Sequence, residues 1–140
     1  MTKILVNYLG DLHTQCTHKE SGTVIETDAP KDNEGRGEAF SPTDLFATSL
    51  GSCMLTLMGI AARKKGIVLE GLYAEVEKVM VTQPTRRVGK VIVKIFCDTP
   101  SEPELKNLLE LAAHSCPVSA SLHPDIQQEI SFHWKEHHFG

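Results

Sequence analysis

The residues of this sequence that could do redox chemistry are its four cysteines. They are Cys16, Cys53, Cys97 and Cys116. None belongs to a CxxC pair, so the spacing excludes zinc-ribbon and thioredoxin-type motifs. A cysteine is also a small hydrophobe that proteins often bury, and each of the four has that simpler interpretation. Cys97 continues the apolar alternation of Val93 and Ile95, which predicts a structural position in the core.

Seven histidines raise the question of a metal site. The possible groupings are His114 with Cys116, and His133 with His137 and His138. Neither grouping has the ligand spacing of a compact zinc motif, so we predict no metal. His18 and Cys16 are two residues apart and would face the same side of a strand, where an imidazolium could activate the thiol. A surface or packing role is the simpler interpretation of both.

Cys53 lies inside a long apolar stretch with the signals of a capped helix. Ser41 is a good N-cap residue, Pro42 suits the first helical position, and Asp44 completes a variant of the capping box. The basic residues and the glycine of 63–66 predict the end of the helix. No charge lies between Asp44 and that end, so the helix should be covered nearly all round. Interspersed Thr, Ser and Gly favour the core of a soluble domain over a membrane span.

The residues 99–104 open a second predicted helix, whose apolar stripe begins at Leu105. Cys116 precedes Pro117, which must interrupt this helix and start a short new one. The thiol would then lie at a helix N-terminus, where the partial positive charge favours a thiolate. The remaining strands are predicted from alternation at 3–9, 12–18, 23–27, 67–82, 90–97 and 128–136. A loop rich in glycine, proline and charge occupies 28–40, and a polar tip occupies 83–89.

The order βββ-α-ββ-α-α-β predicts an α+β fold, a single domain over residues 1–140 with an antiparallel sheet wrapped around one long central helix. The formal charge of −4 and the pI near 5.9 argue against nucleic acid or an anionic membrane as a partner. The sequence shows no secretory signal pattern, so we expect a cytoplasmic location.

Three motifs in order now resemble the OsmC/Ohr family: Ser41-Pro42-Thr43-Asp44-Leu45, Gly51-Ser52-Cys53 and Cys116-Pro117-Val118-Ser119. The resemblance covers essentially the whole chain and implies the OsmC-like fold, with an obligate intertwined homodimer whose active sites lie where the subunits meet. It also implies a thiol peroxidase that acts on organic hydroperoxides and needs no cofactor.

By motif match, Cys53 resembles the peroxidatic cysteine of the family and Cys116 the resolving one. An external thiol, in the family often a dihydrolipoyl group on a protein, would reduce the resulting disulfide. Apolar residues around Cys53 would suit an alkyl hydroperoxide, or they would simply pack the core. They are Phe46, Met54, Leu57 and Met58. Gly51 and Gly59 would let another backbone pack closely on the helix, as the central helices of a dimer do.

The chain departs from the family pattern at the groups that activate the thiol. The glutamate that follows the proline is Thr43 here, with Asp44 next, and Asp44 has the simpler interpretation of a capping acid. The N-terminal hairpin offers no arginine, so Arg36 in the following loop is the substitute candidate. These departures place the chain nearer to the less characterised OsmC-like branches. The alternative function is therefore a weakly active or non-catalytic protein that binds a small hydrophobic ligand at the dimer interface.

Overall fold

The computed structural model of the chain describes residues 1–135. Its strands are β1 (Ile4–Gly10), β2 (His13–His18), β3 (Val24–Asp28), β4 (Tyr73–Val81), β5 (Arg87–Cys97) and β6 (Gln127–Trp134). Its helices are α1 (Pro42–Lys64), α2 (Pro103–His114) and α3 (Pro117–Ser121), and Lys31–Asn33 forms one 3-10 turn. The predicted element order and the α+β class are confirmed. The chain divides into two compact units, residues 1–46 and the residues from Ala47 onward.

The first unit is a three-stranded antiparallel meander in the order β1-β2-β3. Cys16 in the middle strand pairs with Val6 on one side and with Ile25 on the other. The loop that follows returns to β3, because Asp28 N–H donates to Phe40 O at 3.0 Å. The loop of the sequence prediction is thus an ordered segment that leads into α1.

The meander leaves an unusual number of large apolar side chains exposed. Seven of them on its strands are Ile4, Leu5, Val6, Tyr8, Leu9, Val24 and Ile25, at 46–67% relative exposure. Because successive residues of a strand point to opposite faces, consecutive exposed residues at 4–6 show that both faces of β1 lack cover within this chain. Apolar surface of this extent is typical of an interaction site.

The second sheet has the order β4-β5-β6. Strands β4 and β5 form the predicted antiparallel hairpin, with Val76 opposite Val93. Strand β6 pairs with β5 in parallel, Val93 opposite Ile130, where the sequence analysis expected only antiparallel sheet. A parallel neighbour needs a crossover connection, and α2 and α3 provide it.

Helix α1 starts and ends as its sequence predicts. Asp44 N–H donates to Ser41 Oγ at 3.0 Å, and Ser41 N–H donates to Asp44 Oδ2 at 2.9 Å, so the two residues form a reciprocal capping box. At the other end Gly66 has φ +66°, and Ile67 N–H donates to Ala62 O at 2.9 Å. A left-handed glycine with such a bond is a common helix terminator.

One face of α1 packs into the core of the second unit. Its buried residues there are Ala47, Leu50, Gly51, Met54, Met58 and Ala62. They meet Val91, Val93 and Ile95 of β5 and Leu109 and Ala113 of α2. The sequence predicted that nearly the whole surface of α1 would be buried. In residues 1–135 one face is instead exposed, as at Ser52, Thr56 and Ile60. The helix is long and apolar enough to cross a membrane by length and composition, but core helices of soluble proteins share that property.

The two glycines of α1 have different surroundings. A Cβ on Gly51 would lie 2.6 Å from Val76 Cγ2, so the small residue lets β4 approach the helix within this chain. A Cβ on Gly59 would meet nothing within 4 Å. Among residues 1–135, Gly51 is closely packed, and its neighbour is the Val76 side chain of β4. Packing of a second copy's backbone against either glycine stays a prediction.

Candidate active site

The structure brings together the two cysteines that the motifs single out. Cys53 lies in the middle of α1, half-buried and packed against the core of the second unit. Cys116 is the N-cap of α3 and is 1% exposed. The thiols of Cys53 and Cys116 interact, because Cys53 is one of the groups that raise the pKa of Cys116. Both are free thiols, so they form a candidate dithiol pair.

Cys116 holds its proton more firmly than an ordinary cysteine. Burial raises the pKa of the Cys116 thiol, and the hydrogen bond with Cys53 raises this pKa further. Two backbone N–H groups, of Ser119 and Val118, act in the opposite direction. The sequence analysis expected the helix N-terminus to favour a thiolate at Cys116. The position is correct, but the protonation is the reverse, because loss of solvation outweighs the N–H groups of a five-residue helix.

Two residues that support Cys116 were not recognised from the sequence as part of the site. Ser119 N–H donates to Cys116 Sγ at 3.4 Å, and Ser119 Oγ donates to Gln128 Oε1 at 2.6 Å. Gln128 Nε2 donates back to Ser119 O at 3.4 Å. Ser119 belongs to the motif that begins at Cys116, so it carried a signal. Gln128 is an ordinary polar residue of a strand pattern, and nothing in the sequence marks it.

The apolar residues predicted to line the site divide between core and surface. Met54 and Met58 are at most 1% exposed and pack the core of the second unit. Leu57 is half-buried and packs against the same core. Phe46 belongs to the first unit, where it is 38% exposed. The two methionines therefore have the simpler role, packing. Of the predicted lining residues in the second unit, Leu57 is the one that stays partly exposed.

Cys97 has the structural role that its alternation predicted. Its side chain is 3% exposed, and its Sγ donates to Thr99 O at 2.9 Å and to Glu70 O at 3.5 Å. Burial raises the pKa of the Cys97 thiol. A buried, protonated thiol that donates to backbone carbonyls is a packing residue and a poor nucleophile.

Within residues 1–135, Cys16 and His18 make their side-chain contacts with other residues. His18 Nδ1 and Ser21 Oγ are 2.6 Å apart, so the imidazole is engaged by the turn after β2. Cys16 Sγ is 3.9 Å from Thr14 Oγ1. The surface or packing interpretation of this pair fits these contacts.

Arg36 and Asp44 both lie in the first unit, whereas Cys53 and Cys116 lie in the second. Asp44 forms the capping box with Ser41, as its simpler interpretation predicted. Arg36 lines a polar cleft of about 260 Å³ together with His13, Asp28, Glu38 and three residues of the β1–β2 turn. Asp44 thus caps α1, and Arg36 lies in the polar cleft. That either residue activates Cys53 stays a prediction.

The histidines considered as metal ligands have other neighbours. His114 packs edge-on against Phe132, with ring centroids 5.6 Å apart. His133 stacks on Phe96 at 4.8 Å. Within residues 1–135 no three His, Cys, Asp or Glu side chains form a group that could hold a metal ion. His137 and His138 lie outside the described residues.

Comparison with known proteins identifies the class to which this fold and site belong. The family profile described as OsmC-like protein matches residues 35–131, and the chain belongs to this family. Comparison with curated proteins found no match. The recognition of the OsmC/Ohr family from the three motifs is confirmed.

Several solved structures have the same fold as this protein over nearly its full length. A Psychrobacter arcticus protein, named provisionally as an osmotic stress induced and detoxification response protein, is 49% identical with a TM-score of 0.89, covering 95% of this chain and 96% of that one. An organic hydroperoxide resistance protein OsmC from Legionella pneumophila is 18% identical with a TM-score of 0.76, covering 95% and 96%. One from Elizabethkingia anophelis is 16% identical with a TM-score of 0.73, covering 96% of both chains. The two distant structures show the shared fold alone.

Proposed function

We propose that this protein is a thiol-dependent peroxidase that reduces organic hydroperoxides, with Cys53 as the peroxidatic and Cys116 as the resolving cysteine. The observation that carries the proposal is the pairing of two free, interacting thiols, Cys53 half-buried and Cys116 fully buried. The names of the Legionella and Elizabethkingia proteins, organic hydroperoxide resistance proteins, support the substrate class.

The geometry favours Cys53 as the thiol that meets the peroxide. Cys116 is buried and keeps its proton, so it is the poorer first nucleophile. Its retained proton makes the Cys116 S–H group the donor that we assign to the side of Cys53 in this proposal. Cys53 is also the more exposed of the pair, which leaves a path for a substrate.

The reaction then balances in three steps. The thiolate sulfur of Cys53 attacks the terminal oxygen of the hydroperoxide, the O–O bond breaks, and the alcohol leaves with a proton, which gives a sulfenic acid. Cys116 Sγ attacks the Cys53 sulfur, the S–O bond breaks, and the hydroxyl leaves as water with the proton of Cys116. An external dithiol finally transfers two electrons and two protons to the disulfide and restores both thiols.

The partners that we propose are a second copy of the chain, a small hydrophobic hydroperoxide and a thiol reductant, of which a lipoylated protein is one candidate. The uncovered apolar strands of the first unit support a homodimer, because a second copy would remove that surface from water. A cytoplasmic location would suit the four free thiols. Light scattering coupled to size-exclusion chromatography tests the dimer, and a monomer at micromolar concentration would contradict it.

The decisive experiment measures consumption of cumene hydroperoxide with dihydrolipoamide as the reductant. Wild type and Cys16→Ser should consume the peroxide at similar rates, because Cys16 lies in the other unit and is not part of the dithiol. Cys53→Ser should fall to the uncatalysed rate. If wild type is no faster than Cys53→Ser, the peroxidase proposal is wrong.

That negative result would favour the alternative, a protein that binds a small hydrophobic ligand. A cleft of about 490 Å³ lies between the end of α1 and the segment that follows it, lined by Ile67, Val68, Leu69 and Leu72 among others. Its volume is in the range of small-molecule sites. Native mass spectrometry of the purified protein would show a bound ligand as a discrete mass increment.

A further inference from the structure

The geometry points to Gln128 as a positioning residue that sets the place of the resolving cysteine through Ser119. The inference rests on the proposed function, since it concerns the disulfide-forming step of the same site. Gln128 belongs to β6 and touches neither sulfur through a hydrogen bond. Its effect is transmitted through two hydrogen bonds to Ser119 and one from Ser119 to Cys116.

Helix α3 cannot hold Cys116 in place by itself. It has five residues, Pro117–Ser121, and its backbone closes one full turn through Ala120 N–H, which donates to Cys116 O at 3.1 Å. A single turn is far below the length at which a helix is stable alone. The orientation of Cys116, the residue that precedes this turn, must therefore come from contacts outside α3.

Gln128 supplies such a contact from a rigid element. Strand β6 pairs with β5 along its whole length, and Gln128 lies opposite Val91, which is fully buried. From there Gln128 Oε1 accepts from Ser119 Oγ at 2.6 Å, and Gln128 Nε2 reaches Ser119 O at 3.4 Å. The pair of bonds fixes both the side chain and the backbone of Ser119.

Ser119 in turn holds the sulfur. Its N–H donates to Cys116 Sγ at 3.4 Å, and the Val118 N–H and the Cys53 thiol also act on that sulfur. A single path thus runs from β6 through Ser119 and Cys116 to Cys53. Because attack of one sulfur on another is sensitive to displacements near 1 Å, loss of the anchor should slow disulfide formation by about tenfold or more. Sulfenic acid formation at Cys53 should change less than disulfide formation does, since in the described residues Gln128 is linked to Cys53 through Ser119 and Cys116.

The test separates the two chemical steps in a single turnover with tert-butyl hydroperoxide. Dimedone trapping and mass spectrometry measure sulfenic acid at Cys53, and non-reducing peptide mapping measures the Cys53–Cys116 disulfide. Gln128→Ala should slow the second signal more than the first. Gln128→Glu should restore part of the rate, because a carboxylate still accepts from Ser119 Oγ. Gln127→Ala is the matched control on the same strand, where the side chain bonds Glu129 instead.

A double-mutant cycle with Ser119→Ala distinguishes positioning from general damage. If Gln128 acts through Ser119, the double variant that carries both Ser119→Ala and Gln128→Ala should form the disulfide as fast as the slower of the two single variants. Additive losses would contradict the inference, and so would a disulfide rate in Gln128→Ala equal to that of wild type. Urea unfolding of each variant shows whether the protein remains folded.

The inference can be judged even if hydroperoxides do not oxidise Cys53. Diamide is a thiol oxidant that converts a neighbouring dithiol to a disulfide without a peroxide. With diamide, Gln128→Ala should form the Cys53–Cys116 disulfide about tenfold more slowly than Gln127→Ala. Failure with the hydroperoxide but a slowed diamide reaction would reject the peroxidase and support the positioning role. Equal diamide rates would reject the positioning role.

Discussion

The Cys116 thiol is buried and interacts with the Cys53 thiol, and burial first and then this interaction raise the pKa of Cys116. Cys116 therefore keeps its proton more firmly than an ordinary cysteine. The same arrangement would serve two needs of the proposed two-cysteine peroxidase, a donor beside the attacking sulfur and a partner for the oxidised one.

Substitution of Cys116 should separate these two roles. Cys116→Ser and Cys116→Ala both remove the resolving sulfur, so both should accumulate sulfenic acid at Cys53 and form no disulfide with Cys116. Serine keeps a donor beside Cys53 and alanine does not. We expect sulfenic acid formation to be about fivefold slower in Cys116→Ala, which corresponds to about 1 kcal/mol for one hydrogen bond. Stopped-flow measurement with dimedone trapping compares the two variants, and equal rates would show that the donor has no effect on the first step.

The two glycines of α1 should respond to alanine in opposite ways. Gly51→Ala places a Cβ 2.6 Å from Val76 Cγ2, and overpacking of this kind costs about 1–3 kcal/mol of unfolding free energy. Gly59→Ala meets nothing within 4 Å and removes a flexible residue from a helix interior, so it should gain about 0.5–1 kcal/mol.

Urea denaturation measures both changes, and each variant serves as the control for the other. A loss of stability in Gly59→Ala would mean that another backbone packs against the helix there. The central helices of a homodimer would do so, and a parallel shift toward monomer in light scattering would identify that cause.

Cys97 should make the stability of the protein depend on alkaline pH. Burial raises the pKa of its thiol above the ordinary value of 9.0, so the folded state binds this proton more tightly than the unfolded state. The stabilising contribution is complete below pH 9, and it is lost as the pH rises through the higher pKa of the folded state. Unfolding free energy should therefore fall more steeply from pH 8.5 to 10.5 in wild type than in Cys97→Ala.

Chemical denaturation in the presence of a phosphine reductant measures these slopes without disulfide formation. Cys97→Ala should also keep the proposed peroxidase activity, because the Cys97 thiol donates to Thr99 O and Glu70 O and lies outside the proposed dithiol. An equal pH slope in the two proteins would show that the thiol titrates at its ordinary value.

The sequence allowed prediction of the elements whose signals are local. The start of α1 depends on Ser41, Pro42 and Asp44, which are adjacent, so the capping box was predictable. The direction of β6 was not, because side chains alternate between the two faces in every strand, and the alternation of Ile130, Phe132 and Trp134 therefore carries no direction. The protonation of Cys116 was missed for a related reason: burial is a property of the packed core, and the neighbouring Pro117 signals only a helix start. Gln128 was missed because its partner Ser119 is nine residues away in an unrelated pattern.

Arg36 is the remaining candidate for the cation that activates the peroxidatic thiol. It lines the polar cleft beside His13 and Asp28, and it is the arginine that the loop before α1 offers. If it acts on Cys53, its guanidinium must stabilise the thiolate, and loss of a nearby opposite charge typically costs one or more powers of ten in reactive thiolate. Arg36→Ala should therefore slow sulfenic acid formation by about tenfold, and Arg36→Lys should retain part of the rate.

The matched control is Arg87→Ala, since Arg87 lies at the start of β5 and its Nε donates to Gln83 O. Second-order rate constants for tert-butyl hydroperoxide at pH 7 should be equal in this control and in wild type. The salt dependence adds a second readout, because an effect transmitted by charge weakens as ionic strength rises. If Arg36→Ala reacts as fast as the control, the thiol of Cys53 is activated without Arg36, and the S–H donor of Cys116 becomes the main group that stabilises its negative charge.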